Sequence, residues 1–337
     1  MTRTHPPRLL AISALLASAL AGAGVHAQAP ATPRTPVEQA AALMRQGRYA
    51  DARRMLAPYA RAHPRDAGAA LWLGRAYVAM DSTDQAVEWL QRSVSLRGTA
   101  EAHLALARAY GAQASEANLF AQPFVSRKAR AAMEAAVAAE PRNPTPRFAL
   151  LQFDLGTPWL YGGSRGDAEE QARGLARISP YWGALGAAVV AANSGDMSGA
   201  ERTLAAAARQ YPDSAIPVSM LAGVHRQKRQ WDRAWAALDD FTRRHPQDRH
   251  LLLDVGATAR ASGKRLEDGE RAFLAYVSAP VPDGSPPAAA ARFELGQLYE
   301  QKGRKDLARA QYTQVLAMDP GFLPARTALR ALDLHPK

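Results

Sequence analysis

From about residue 36 onward, apolar residues recur three and four positions apart, the spacing of one helix face, in paired runs joined by short polar turns. The turns fall near Gly47, Gly195, Gly263 and Gly303, and the runs close at Pro64, Pro141, Pro180, Pro212, Pro246, Pro280 and Pro320. Three consecutive intervals between these prolines are 32, 34 and 34 residues, and a step of 34 from Pro64 lands on Gly98, a helix-ending residue of the other type. Alanine and leucine supply most of the apolar content, while the strand formers Val, Ile and Thr are scattered. The pattern predicts an all-α chain built from helical hairpins.

A second pattern recurs inside each hairpin. The last unit reads Leu295-Gly296-Gln297-Leu298-Tyr299, then Gly303, Ala308, Tyr312 and Pro320. The second reads Leu73-Gly74-Arg75-Ala76-Tyr77, then Ala86 and Leu90. The first contributes Gly47, Tyr49, Ala52, Leu56 and Pro64; later units contribute Gly195, Ala200 and Leu204, and then Leu221, Trp231, Ala234, Leu238 and Pro246. These residues resemble the tetratricopeptide consensus over nearly all of the chain beyond residue 36, as in exported bacterial members of that family. The resemblance implies a right-handed α-solenoid of about eight helix-turn-helix units. One such hairpin cannot bury its own apolar face, so stacking is required. Small residues (Gly74, Ala86, Ala200, Ala234, Gly296, Ala308) would let paired helices approach, and Tyr77, Trp231, Tyr299 and Tyr312 would fill the gaps between units. Residues 36–321 form the expected array, and the run from Leu323 to Leu332 within 322–337 is the expected capping helix before a short tail.

Two units break the phase. In the third, the second helix arrives about ten residues late, which predicts a long-loop insertion near 111–128 carrying Phe120 and Phe124. In the fourth, an insertion near 156–166 carries Trp159 and Tyr161. The two are expected on one edge of the solenoid, where these aromatics either pack the loops together or meet a partner.

The first 27 residues read as a secretory signal: Arg3 and Arg8, an apolar run from Leu9 to Val25, and small residues at Val25 and Ala27, predicting cleavage after Ala27. An uncleaved membrane anchor is the alternative, disfavoured by the Ala/Gly-rich composition of the run and the lack of a basic stop-transfer flank. Residues 28–35 would be a short linker, and a periplasmic or secreted location with no stable membrane insertion after cleavage follows. Cleavage leaves 40 basic and 31 acidic residues, a net charge of +9, which favours acidic partners or anionic surfaces. Nucleic acid is not expected as a partner, because the charges are spread along helices and the leader exports the chain.

Catalytic and metal chemistry finds little support. With no cysteine there are no disulfides, thiolate ligands or cysteine nucleophiles. His63, His103, His225, His245, His250 and His335 form no HExxH and no i,i+4 pair, so neither a metal nor another cofactor is expected. Gly162-Gly163-Ser164-Arg165-Gly166 satisfies the GxSxG of hydrolases, but no strand precedes it, and Ser164 with Asp167 fits a helix cap better.

In the family it resembles, the first helix of each unit lines a concave groove. Carried over unit by unit, this implies Arg75, Arg108, Gln152, Asn193, Arg226, Arg260 and Gln297 as polar lining, and Leu71, Leu104, Phe148, Trp182, His250 and Phe293 beside them. Acidic residues there are few, Glu101 and Glu300 excepted, so the implied ligand is an extended peptide or helix of acidic character held by arginine forks. The lysines and asparagines of a carboxylate clamp are mostly replaced. The expectation is a non-enzymatic scaffold or adaptor; an accessory factor on envelope polymer and a hydrolase at Ser164 are the competing readings.

Overall fold

The computed structural model describes residues 35–279, 288–319 and 321–334. The expected leader, nearly all of the expected linker, the unit-ending Pro280 and Pro320, and His335 lie outside these residues. The described chain holds seventeen α-helices, a single 3-10 turn and no strand. The helices pair as successive hairpins. In chain order they are α1 (Pro36–Arg45) with α2 (Tyr49–Ala62), α3 (Ala67–Val78) with α4 (Thr83–Leu96), and α5 (Ala100–Glu116) with α6 (Gln122–Ala139). Then come α7 (Pro144–Gly156) with α8 (Arg165–Ile178), α9 (Pro180–Asn193) with α10 (Met197–Gln210), and α11 (Ala215–Gln227) with α12 (Trp231–Arg244). The last are α13 (Leu252–Ser262) with α14 (Leu266–Val277) and α15 (Ala288–Gln301) with α16 (Lys305–Met318), closed by the single helix α17 (Leu323–Leu334). This is an α-solenoid of eight hairpins and a cap.

Local chemistry starts the helices. Thr35 and Glu38 form a reciprocal capping box on α1, with Pro36 at its first position. Asp66, Thr99 and Asp196 each accept a backbone N–H three residues on, and Asn143 accepts that of Thr145. Between the helices of a pair the chain turns through the left-handed region, at Gly47, Gly195, Gly263 and Gly303 as the sequence predicts. In the second and sixth units that conformation falls instead to Asp81 (φ 52°) and Arg229 (φ 56°).

Each hairpin packs on its neighbours in sequence, and first helices of several successive units also touch, placing them on the inner side of the curve. Ala86, Ala200, Ala234 and Ala308 are fully buried at the close approaches, while Tyr299 and Tyr312 fill the interior. Trp231 is only half-buried, and Trp235, one turn on, takes the interior place. Ala325 and Leu332 of α17 are buried against the end of the array.

The third unit differs from its expectation. Residues 111–128 are mostly helix: α5 runs for 17 residues and α6 for 18, and only 117–121 connect them. The alanine-rich segment after Tyr110 holds no proline, and its one glycine, Gly111, costs too little to stop the helix, which continues through it; Pro123 can stand only in the first turn of α6. In the fourth unit residues 157–164 do leave the helix, through the 3-10 turn Trp159–Tyr161 and Gly162 at φ 101°. A Cβ on Gly163 would lie 1.7 Å from the Thr157 carbonyl oxygen, so this turn closes only over glycine.

The array also comes round on itself. Met318 Cε lies 3.3 Å from where a Cβ on Gly47 would stand, and a Cβ on Gly321 would be 2.7 Å from Asp81 Oδ2. The eighth unit therefore touches the turns of the first and second. Burial and the nearby Asp319 carboxylate raise the Asp81 pKa, and Asp319 also raises that of Tyr49, which burial has already pushed up.

Candidate partner-binding surfaces

The arginines expected to line a groove sit on first helices, but three of them are already engaged. Arg75 on α3 meets Glu101 on α5 at 2.8 Å, Arg226 on α11 meets Asp254 on α13 at 2.8 Å, and Arg260 on α13 meets Glu294 on α15 at 2.6 Å. Arg226 also donates to Thr258 Oγ1, and Asp254 accepts from Ser219 Oγ at 2.6 Å. These are rungs between neighbouring repeats, not open forks, and the expected supply of free groove arginines is corrected accordingly. Asp254 and Glu294 escaped the sequence reading because they fall outside the ligand positions carried over from the family.

Arg108 alone of the four makes no ion pair with a described residue; it is exposed, with its pKa lowered by crowding protein atoms and by Arg75. Gln152 is half-buried and its Nε2 has no partner. Asn193 is exposed and donates to the Leu155 carbonyl, and Gln297 is half-buried. Trp182 is half-buried, edge-on to Phe148 and Tyr181 with ring centroids 5.6 Å away in both cases. Phe148 and Leu71 are core residues, not groove surface, and Leu104 is half-buried. Phe293 packs on Tyr312 and Phe322, and His250 lies before α13 with its pKa raised by Asp248, 2.7 Å away.

The edge carrying the two irregular connections is different. Phe120 is 87 %, Trp159 81 %, Leu119 76 % and Phe124 67 % exposed, and Leu160 joins them. Only one other large apolar residue among those described, Leu323, is comparably open. The 3-10 turn rests on α6, where Arg127 donates to the Leu160 carbonyl at 3.5 Å. Tyr161 is half-buried. Phe120, Phe124 and Trp159 thus do not bury one another, although the connections that carry them are adjoined. Asn118 shapes the first by accepting the N–H groups of Phe120 and Ala121.

Beneath this edge lies a fixed charged base. Arg130 reaches Asp154 at 3.1 Å, Asp167 at 2.6 Å, and Glu134. Asp154 is wholly buried; burial pushes its pKa up to about 6 against the pull of Arg130, and its Oδ2 has no partner. Ser164 is the N-cap of α8, accepting the Asp167 N–H at 3.2 Å, while the Asp167 carboxylate turns to Arg130. Among the described residues no histidine is hydrogen-bonded to Ser164, no group of three or more His, Asp or Glu could hold a metal, and no helix is long and apolar enough to cross a membrane.

Tetratricopeptide repeat profiles match residues 43–109 and 257–321. No curated protein matches the chain in sequence. Among solved structures it is similar to yeast Tom70, at 12 % identity and a TM-score of 0.61, over 97 % of this chain and 70 % of that one. It is also similar to the human IFIT1 dimer solved with PPP-AAAA, at 14 % identity and a TM-score of 0.50, over 89 % and 73 % of the two chains. A tetratricopeptide repeat protein from Parabacteroides merdae aligns over 88 % of this chain and 96 % of its own, at 14 % identity and a TM-score of 0.46.

Proposed function

We propose that this tetratricopeptide-repeat protein is an exported scaffold that docks a protein partner on the edge formed by Phe120, Phe124 and Trp159. The observation that carries the reading is the concentration of strongly exposed aromatic surface at that one edge. Contiguous apolar surface with aromatic anchors characterises protein interfaces, and a rigid support lowers the ordering cost of binding. Arg127 and Lys128 stand beside the aromatics without ion pairs and suit an acidic rim on the partner. The concave face, with Arg108, Gln152, Asn193 and Gln297 still open to contact, is the second reading. It is narrowed by the carboxylates that hold Arg75, Arg226 and Arg260.

A photo-crosslinker placed at Phe124 in the exported protein tests this. Covalent capture of one envelope protein, lost in a Phe120→Ser/Trp159→Ser variant of unchanged helicity, is the expected result. Capture that survives those changes but disappears with Arg108→Glu would move the site to the concave face. Export has its own check, since N-terminal sequencing of the periplasmic or secreted form should begin at Gln28.

A further inference from the structure

At the opposite edge of the same two units lies a cleft of about 360 Å³, lined by Pro141, Arg142, Arg147, Gly174, Arg177 and Ile178. We propose that it binds a phosphate group, held by the guanidinium groups of Arg142, Arg147 and Arg177.

The cations there are poorly matched by the protein itself. Arg142 is exposed and makes no hydrogen bond or ion pair with a described residue. Arg147 has only a neutral partner, donating from Nη1 to Gln171 Oε1 at 2.8 Å, and its Nε is buried with no acceptor. Arg177 contacts Glu170 at 3.1 Å, but Arg173 takes the same carboxylate at 2.9 Å. Glu170 therefore takes both Arg173 and Arg177, while the other nearby carboxylate, Glu140 beside Arg142, accepts from Asn143.

Helix electrostatics do not account for this arrangement. Arg177 in the last turn of α8 suits the dipole there, whereas Arg147 stands in the first turn of α7, where a cation is disfavoured and an anion is welcome. The sequence also makes room for the Arg147 guanidinium. A Cβ on Gly174 would come within 2.7 Å of its Nη1, so the glycine gives the side chain room to lie close against α8. Burial, and then repulsion from Arg177, lower the Arg147 pKa against the pull of Glu170, and an anion between the two arginines would offset that lowering. An excess of positive charge on planar forks favours a dianionic phosphate over a singly charged carboxylate.

The test uses the full-length mature protein with inorganic phosphate, phosphatidylglycerol vesicles and acetate at constant ionic strength. Phosphate should raise the melting temperature saturably and bind in calorimetry, with acetate at least about tenfold weaker. Arg142→Gln and Arg177→Gln, on exposed side chains that leave the core intact, should together weaken phosphate binding at least about tenfold. Vesicle retention abolished by the same changes and competed by phosphate would identify a lipid headgroup as the source; phosphate binding without retention would identify a free phosphate or phosphorylated small molecule. Phosphate that binds no better than acetate, or equally well to the double variant, would overturn the proposal.

Discussion

Arg226 and Arg75 occupy comparable places on first helices, yet their ion pairs lie in very different surroundings. The Arg226 and Asp254 side chains are 11 % and 8 % exposed, whereas Glu101 opposite Arg75 is 58 % exposed. Removing Arg226 leaves a nearly dry carboxylate with only Ser219 and its own helix for company, so Arg226→Ala should cost about 3 kcal/mol. Arg75→Ala should cost less than about 1 kcal/mol. Paired denaturant titrations check the ranking, and equal losses would contradict it. Asp154 supplies a pH signature. Its folded pKa, about 6, exceeds the unfolded value, so the folded state keeps a proton that the unfolded state has released. The contribution of Asp154 to stability should thus be greatest at low pH, fall between about pH 4 and 6, and stay flat above. Subtracting the pH profile of Asp154→Asn from that of the natural protein isolates this term, and parallel profiles would refute it.

Between helices, two glycines of the last hairpin matter for unlike reasons. Gly296 in α15 faces the buried ring of Tyr312 in α16, and a Cβ there would stand 2.4 Å from the ring. Gly296→Ala should overpack this contact at about 1–3 kcal/mol. Because each repeat leans chiefly on its neighbours, hydrogen exchange should quicken in α15, α16 and α17 and remain unchanged in α9 and α10. Gly303 has open space around it but sits at φ 71°, so Gly303→Ala should cost about 1 kcal/mol through backbone strain alone. Exchange that quickens evenly along the chain would argue against this local picture. The same hairpins show how far pattern reading reaches. The LGxLY run marked the last pair and the turn glycines marked four of the eight, because they answer to local sterics. The displaced second helix of the third unit was legible only as missing phase: spacing counts residues, and it does not say whether the extra ones extend helices or form a loop.

The whole array is closed by contact between its ends, through Gly47 and Asp81 on one side and Met318, Asp319 and Gly321 on the other. Asp81 and Asp319 are like charges when both are ionised, and burial and this neighbour raise the Asp81 pKa. Protonated Asp81 favours the closed contact, which should weaken as pH rises through that raised value. Small-angle scattering should show the radius of gyration growing over that interval, and Asp319→Asn should remove the dependence. A size independent of pH in the natural protein would show that closure does not depend on this pair.

Helix, hairpin, repeat count and the capping role of Leu323–Leu332 were readable along the chain, since apolar period, helix breakers and caps act within a few residues. So was Ser164 as a cap, which needs only its own turn. What folding decided lies between residues far apart: Asp254 and Glu294 taking the arginines, Phe148 going inward while Phe120 and Trp159 stay out, Arg147 left with an orphaned nitrogen, and the last unit meeting the first. Those outcomes depend on superhelical curvature, which sums small rotations at every stacked interface and appears in no single window of sequence.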